Sequence, residues 1–158
     1  MNRSFFPKEC LPALCGFLMI LWGCSPAGKG LPPLATVDQV DLTRYVGTWY
    51  EIASYPARFQ KGCVATEAEY ALRSDGLIQV VNRCRKESLD GPLQSATGKA
   101  RIVNPPANSR LEVSFFWPFW GDYCIIALDT DYQWAVVGHP SRKYLWILSR
   151  KPSLDDGV

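Results

Sequence analysis

Eight strand-like stretches, separated at regular intervals by turn-forming residues, constrain the fold of this chain more than any other feature. Their approximate ranges are 47–54, 64–72, 77–86, 93–103, 110–117, 122–129, 132–138 and 144–150. Short strands with short connections are typical of an antiparallel meander, and no helical period of 3.6 residues competes with them. Eight such strands can close into a barrel that holds side chains or one small ligand. The predicted fold class is therefore all-β, as an eight-stranded antiparallel up-and-down barrel.

Turn-forming residues mark the breaks between these stretches. Ser74-Asp75-Gly76 and Asp90-Gly91-Pro92 are typical of tight hairpins. A longer break is predicted at 117–121, where Trp117-Pro118-Phe119-Trp120-Gly121 combines proline and glycine with large aromatic rings. We expect these rings either to cover one end of the barrel or to contact a membrane or the exit path of a ligand.

A tryptophan near the start of the first strand and an arginine at the end of the last are expected to join the two edges of the sheet. Trp49 lies in Gly47-Thr48-Trp49-Tyr50-Glu51, and Gly47 lets other backbone approach the indole ring. A guanidinium on an indole face contributes roughly 0.5–2 kcal/mol. Arg150 stacked on Trp49 would therefore stabilise a closed barrel. An ordinary buried core tryptophan is the alternative.

Alternation of side chains assigns some positions to the inner wall of this barrel. If Arg150 points inward, every second residue before it does the same, and the second, fifth and sixth stretches alternate similarly. The candidate ligand-lining residues are Thr66, Ala68, Tyr70, Leu111, Val113, Phe115, Tyr123, Ile125, Tyr144, Trp146 and Leu148. The facing of the sixth stretch stays open, because Cys124, Ile126 and Leu128 are also apolar. Small residues among aromatic rings favour a cavity for an acyl chain or a flat apolar ligand, although a fully packed core has the same alternation.

The N-terminal residues predict a secretory signal that is not part of the fold. A basic start precedes the apolar run 11–22, which is too short to cross a bilayer as a helix. Leu21-Trp22-Gly23-Cys24 resembles the lipobox of bacterial lipoproteins, so residues 1–23 are predicted to be removed and Cys24 to carry lipid. Cleavage nearby without lipidation is the alternative. Residues 24–44 are predicted to form the lipidated N-terminus and a tether.

Charge and composition limit the partners and the chemistry. The net charge is +2, without a basic stripe or a polybasic patch, which argues against nucleic-acid binding. The only histidine, His139, precedes Pro140 in a predicted turn and is expected to be a solvated loop residue. No spacing of Cys and His is typical of a zinc site. Residues 45–150 are therefore expected to form one domain that holds no metal and no cofactor.

Two of the cysteines are placed to form a disulfide. Cys63 and Cys84 flank the Ser74-Asp75-Gly76 turn at similar distances, so a hairpin would bring them near each other. Opposed residues of antiparallel strands lie about 4.5–5.5 Å apart, which a disulfide can span. We predict this disulfide, with two free thiols as the alternative. Cys124 then stays unpaired and is expected to be a small buried apolar side chain.

Three separated motifs resemble those of the lipocalin family. Gly47-Thr48-Trp49-Tyr50-Glu51 is similar to the first lipocalin motif, Thr130-Asp131-Tyr132 to the second and Arg150 to the third, in the same order. The stretches 113–121 and 144–150 resemble more narrowly the bacterial outer-membrane lipoprotein lipocalins of the Blc type, relatives of apolipoprotein D. The resemblance implies that Gly47, Trp49 and Arg150 close the barrel and that Thr130, Asp131 and Tyr132 form a turn beside that closed end.

The function that this resemblance implies is binding and not catalysis. It implies a barrel with one open mouth, anchored by acyl chains at the periplasmic face of the outer membrane, that stores or transports a fatty acid or lysophospholipid for membrane maintenance. A homodimer is also consistent with it. Two alternatives stay open, a thiol-dependent isomerase that uses Cys124 or Cys84 and a carrier of a pigment or haem-like ring. The first would need a base near the thiol, and His139 offers poor axial ligation for the second.

The end of the sequence departs from the family pattern. The family continues past its last barrel strand into a helix packed on the barrel, whereas this sequence stops at Val158. Ser153, with acidic residues in the following turn, is typical of a helix N-cap, so residues 151–158 are predicted to begin that helix. We therefore expect the helix to be missing or only begun, as in a fragment of a longer protein. A chain that ended here would expose an apolar stripe and lose stability.

Overall fold

Eight antiparallel strands close into a barrel in the part of the chain that a computed structural model describes, residues 31–154 and 157. A short helix, α1 (Leu42–Tyr45), precedes the barrel, and a 3-10 turn (Arg58–Gln60) lies between the first two strands. The strands are β1 Gly47–Ser54, β2 Cys63–Leu72, β3 Ile78–Lys86, β4 Leu93–Ile102, β5 Arg110–Phe116, β6 Phe119–Leu128, β7 Trp134–Gly138 and β8 Leu145–Ser149. Each strand pairs with its neighbours in sequence, and β8 pairs with β1. The predicted fold class is confirmed.

The two ends of the barrel differ because the strand ladders stop at different heights. At the end where β1 begins and β8 ends, here called the closed end, the ladders are continuous. At the opposite end, called the mouth, β1 and β2 pair only as far as Tyr50 and Glu67, and β4 and β5 pair only as far as Lys99 and Ser114. The wall therefore splits near the mouth, between β1 and β2 and between β4 and β5.

The hydrophobic core fills the closed half of the barrel. Its buried members come from every strand and from the segment before β1; those on the strands include Trp49, Tyr70, Ile78, Val80, Ala100, Leu111, Ile125, Ala135, Val137 and Leu148. Alternation along each strand points these side chains inward and places polar residues outside. Full burial of one large apolar side chain contributes about 1.5–3 kcal/mol. This core holds the closed end rigid beneath the mouth.

Part of the segment predicted to be a tether belongs to the folded unit. The Val37 N–H donates to the carbonyl oxygen of Ile125 at 3.0 Å, and the Val40 N–H donates to that of Ala107 at 2.8 Å. Val40 is almost fully buried. Asp41 then caps α1 by accepting a hydrogen bond from the Thr43 N–H at 2.9 Å. The tether prediction for residues 24–44 is therefore too long, because apolar side chains from Val37 onward are buried on the barrel.

The hairpin between β5 and β6 is tighter than the sequence suggested. The break predicted at 117–121 is reduced to Trp117 and Pro118, and β6 begins at Phe119 and not at 122. Phe116 and Phe119 pair across the turn. Aromatic side chains favour strands, so this propensity outweighs the turn preference of Gly121.

Several predictions fall on the ends of the chain. The signal peptide (1–23) and Cys24 lie outside the described residues, as do residues 155, 156 and 158 of the predicted C-terminal helix. Residues 151–153 form bends and Leu154 has no assigned structure. Within the described residues, no helix is long and apolar enough to span a membrane.

Candidate ligand-binding site

A stacked tryptophan and arginine form the floor of the barrel. Trp49 is fully buried, and the guanidinium carbon of Arg150 lies 3.8 Å from the centre of an indole ring of Trp49. The indole Nε1 donates to the carbonyl oxygen of Tyr45 at 2.7 Å. Because this is the only hydrogen-bond donor of the side chain, Trp49 is buried with no polar group unpaired. The pair joins β1 to the end of β8.

Arg150 also binds five backbone carbonyl groups at the closed end. Its guanidinium donates to the carbonyl oxygens of Arg44 (2.7 Å), Thr48 (2.8 Å), Val46 (3.0 Å), Tyr45 (3.1 Å) and Tyr132 (3.3 Å). Hydrogen bonds from a charged donor are roughly twice as strong as neutral ones. Burial lowers the pKa of Arg150, but a guanidinium stays protonated in proteins. A lysine has neither the number nor the planar arrangement of these donors.

Gly47 leaves the space that this arginine needs. Its φ of +97° lies in the region that favours glycine, and a Cβ on it would lie 3.4 Å from Nη1 of Arg150. The glycine of the first motif thus has a backbone role and a packing role at the closed end.

The turn Thr130–Tyr132 lies beside the closed end, between β6 and β7. The Tyr132 hydroxyl accepts a hydrogen bond from the Asp41 N–H at 2.8 Å, and the Arg44 guanidinium lies 4.1 Å from the centre of the Tyr132 ring. Arg44 also donates to the carbonyl oxygen of Thr130 at 3.0 Å. The Asp129 carboxylate accepts the Asp131 N–H at 3.2 Å. Sequence analysis missed Arg44 and Asp129, because neither stands out without the long-range contacts.

Three tyrosine hydroxyls meet inside the barrel, next to Trp49. The hydroxyls of Tyr45 and Tyr123 are 2.7 Å apart, and Tyr70 donates to Tyr123 at 3.1 Å. Burial raises the pKa of all three and raises that of Tyr70 to about 12. The hydroxyls are therefore neutral at physiological pH. These hydroxyls form a polar but uncharged layer at the bottom of the interior. Tyr45 was missed by sequence analysis, since it precedes the first strand.

The predicted lining residues separate by depth. Four of them are buried in the closed half, namely Tyr70, Leu111, Ile125 and Leu148. The others are partly exposed; they are Thr66, Ala68, Val113, Phe115, Tyr123, Tyr144 and Trp146. A barrel packed solid to its rim would bury both sets. Packing is therefore less complete around the second set, although Ala68, Val113, Phe115, Tyr123 and Trp146 still contact the core.

A pocket of about 350 Å³ opens at the mouth, in the split between β1 and β2. Its wall is formed by Glu51, Ser54, Pro56, Ala57, Arg58, Gln60, Lys61, Cys63 and Thr66. The Glu51 carboxylate accepts hydrogen bonds from Ser54 and Gln60, each at 2.6 Å. Gln60 in turn accepts from the indole Nε1 of Trp146 at 3.0 Å. This chain of hydrogen bonds fixes the β1–β2 loop to the interior wall, and only the fold brings Gln60 and Trp146 together.

Aromatic rings form an apolar wall beside this pocket. Tyr144 and Trp146 are stacked at 6.0 Å with planes 11° apart. Phe59, from the β1–β2 loop, lies 6.1 Å from Tyr144 and 6.5 Å from Trp146 between ring centres. Such a wall offers a large apolar area with little side-chain entropy to lose on binding.

A second pocket, of about 220 Å³, lies in the split between β4 and β5 and includes Gly98, Phe115 and Trp117 in its wall. A Cβ on Gly98 would lie 2.6 Å from the carbonyl oxygen of Ser114 and 2.8 Å from the Phe115 ring. Glycine at this position therefore lets Phe115 cover the gap where the ladder stops.

The thiols are not placed for catalysis inside the barrel. The predicted disulfide between Cys63 and Cys84 is confirmed, with a Cα–Cα distance of 5.5 Å. Tyr123 and Ile125 face the core, so Cys124 is on the outer side of β6. It is buried there, opposite Gly138, whose Cβ position is 3.2 Å from Leu34. Burial raises the pKa of the Cys124 thiol. The described geometry therefore gives the isomerase alternative no thiolate that faces the cavity.

His139 is less solvated than expected. It lies in the β7–β8 turn, where Nδ1 is 2.8 Å from the Ser141 hydroxyl and the ring packs edge-on against Tyr144. The histidine is partly buried, because Tyr144 covers one side of it. Among the described residues, no group of three or more His, Cys, Asp or Glu side chains is arranged to hold a metal ion.

Comparisons with known proteins agree with this geometry. A family model for the lipocalin-like domain matches residues 40–158. The outer membrane lipoprotein Blc of Escherichia coli K12 is 41% identical over 146 residues, which cover 92% of this chain and 80% of that protein. Mouse apolipoprotein D is 32% identical over 157 residues, covering 87% of this chain and 79% of that protein. Insecticyanin from the tobacco hornworm superposes with a TM-score of 0.64 at 25% identity, over 80% of this chain and 71% of that structure.

These matches cover the parts of the barrel described above. The family model extends from Val40 through all eight strands, and so includes both the Trp49 and Arg150 pair and the open mouth. The bacterial relatives match over nearly the whole chain, not over a shared fragment. This chain is a member of the lipocalin family.

Proposed function

We propose that this protein is an outer-membrane lipoprotein that binds one monoacyl lipid, a fatty acid or a lysophospholipid, and stores or transports it for membrane maintenance. Membership of the lipocalin family supports binding of a small hydrophobic ligand. The observation that carries the finer proposal is the graded interior, in which a packed closed half lies under partly exposed side chains and a pocket of about 350 Å³ at the mouth. A single acyl chain entering from the mouth would bury its methylenes there, at about 0.8 kcal/mol each.

The polar groups of the mouth suit the head group of such a lipid. Arg58 and Lys61 line the mouth pocket and offer cationic partners for a carboxylate or phosphate. Glu51, in the same pocket, could accept hydrogen bonds from head-group hydroxyl or ammonium groups. The proposal therefore includes both ligand classes, with the acyl chain inside and the head group between these residues.

The proposed location comes from the relatives and the N-terminal motif. The bacterial relatives are named outer membrane lipoproteins, and Leu21-Trp22-Gly23-Cys24 suits lipidation at Cys24. Several acyl chains on one residue would anchor the protein durably. Attachment at the periplasmic face of the outer membrane is part of the proposal, and so is association into a homodimer.

Native mass spectrometry of a chain that starts at residue 25 tests the ligand class. The chain would first be stripped of bound lipid and then offered equal amounts of a fatty acid, a lysophospholipid and a diacyl phospholipid. We expect one monoacyl lipid per chain, because the mouth pocket measures only about 350 Å³ and the barrel beneath it has a closed floor. Retention of the diacyl lipid alone would contradict the proposal, as would a pigment that copurifies and is not displaced.

A further inference from the structure

Exposed apolar side chains are concentrated around the mouth. Most of the large hydrophobic residues that are more than half exposed lie in loops or strand ends there, and they are Tyr55, Phe59, Leu89, Leu93, Phe116, Trp117 and Phe119. We call this set the mouth rim. Soluble proteins rarely expose so many large apolar groups at one place unless something covers them.

The β5–β6 hairpin is the most prominent part of the mouth rim. Pairing of β5 with β4 stops at Ser114, and pairing of β6 with β7 stops at Cys124, so the tip of the hairpin extends beyond both neighbours. Phe116 and Trp117 are each 77% exposed, and Phe119 is 76% exposed. Within the described residues, no other segment packs over these rings. The tip is therefore available to a surface outside the barrel.

The charge distribution around the mouth favours a negatively charged partner surface. The loops and strand ends at the mouth carry more basic than acidic residues, with Arg58, Lys61, Arg85, Lys86, Arg142 and Lys143 against Glu51, Glu87, Asp90 and Asp122. At the closed end, acidic and basic residues are equal in number, with Asp38, Asp41, Asp75, Asp129 and Asp131 against Arg44, Arg73, Arg110, Arg150 and Lys151. This difference in charge between the two ends would orient the mouth toward a negatively charged surface.

We propose that the mouth rim docks on an anionic phospholipid surface. Aromatic and aliphatic side chains would enter the interfacial layer while basic residues contact the lipid phosphates, the combination found in interfacial membrane binding. An anionic lipid surface offers an apolar layer to the aromatic residues of the mouth rim and negative charge to the basic residues. A second copy of this chain would instead place its own basic mouth loops against those of the first.

Docking would connect the membrane directly with the cavity. Trp117 belongs both to the exposed tip and to the pocket between β4 and β5. An acyl chain leaving the bilayer beside the β5–β6 hairpin would reach the mouth of the barrel with little exposure to water. This step rests on the proposed ligand-binding function, whereas the docking itself does not.

Vesicle sedimentation tests the docking with the unanchored chain that starts at residue 25, since Leu31–Val158 form one compact unit. The probes are vesicles of phosphatidylethanolamine with phosphatidylglycerol, and vesicles of phosphatidylcholine. We expect binding to the anionic vesicles that falls several-fold in high salt. The variant Phe116→Ser with Phe119→Ser should bind them at least tenfold more weakly. The matched control, Leu72→Ser with Val103→Ser, removes two exposed apolar residues at the closed end and should bind like the unmodified chain.

Other outcomes separate docking from ligand binding. Binding of a dissolved monoacyl lipid below its micelle concentration should be unchanged in the Phe116→Ser and Phe119→Ser variant, since neither residue lines a pocket of the candidate site. Equal vesicle binding by this variant and the control would overturn the docking proposal, and so would equal binding to both kinds of vesicle. A dimer that forms through the same aromatic residues and leaves vesicles unbound would overturn it too. Vesicle binding by a chain that retains no dissolved lipid would support docking and reject the proposed function.

Discussion

The variant Trp49→Ala is expected to unfold with a free energy about 4 kcal/mol lower than that of the unmodified chain. Removal of a buried tryptophan typically costs about 3–5 kcal/mol, because apolar contacts are lost and a cavity remains. Here the change also removes the stacking surface of Arg150, 3.8 Å from the ring centre, and exposes the joint between β1 and β8. Urea denaturation followed by circular dichroism measures the loss as a lower midpoint.

The matched control for this prediction is Trp117→Ala. It deletes the same side chain at a position that is 77% exposed, so the free energy of unfolding should change by no more than about 0.5 kcal/mol. If Trp49→Ala were as stable as this control, the closed end would not depend on the indole and guanidinium pair.

The variant Thr66→Trp is expected to weaken binding of a monoacyl lipid at least about tenfold, a loss of about 1.4 kcal/mol or more. Thr66 lies in the wall of the mouth pocket of about 350 Å³, so an indole there would occupy the entrance that the acyl chain needs. Because the pocket is open to solvent, the fold should accommodate the larger ring. Displacement of a fluorescent fatty acid measures the affinity.

Ala71→Trp is the control for the entrance. Ala71 is on the same strand, β2, but it is exposed on the outer face, so the same indole there should leave affinity unchanged. Equal affinity in Thr66→Trp and Ala71→Trp would mean that the ligand does not enter past Thr66.

The closed end was largely predictable from the sequence, because its parts are local motifs. Trp49 stands out in the first strand and Arg150 after the last, and alternation from Arg150 placed Leu148 on the buried face. The inward facing of Ile125 was left open by the sequence and is seen only in the structure. The motifs did not indicate which residues contact them in the folded chain. Arg44 binds the Thr130 carbonyl group across 86 residues, and no short-range pattern signals such a contact.

The structure of the mouth was less predictable from the sequence, because loops form most of it. Gln60 meets Trp146 only after the β1–β2 loop folds over the barrel, and no alternation exists in a loop to suggest it. The aromatic hairpin was recognised as unusual, but its strand propensity shortened the break predicted at 117–121. The segment around Val37 was assigned to a tether because proline and glycine near its start obscured the apolar residues that follow.

The central claim is that an acyl chain enters through the mouth pocket and occupies the barrel above the floor made by Trp49. Intermolecular nuclear Overhauser effects between a ¹³C-labelled fatty acid and the methyl groups of the protein test it most directly. The account predicts contacts from the chain to the inward methyl groups of Ala68 and Val113, and none to the exposed methyl groups of Ala71 and Val103 on the outside. A saturated complex with contacts only to outer methyl groups would contradict it.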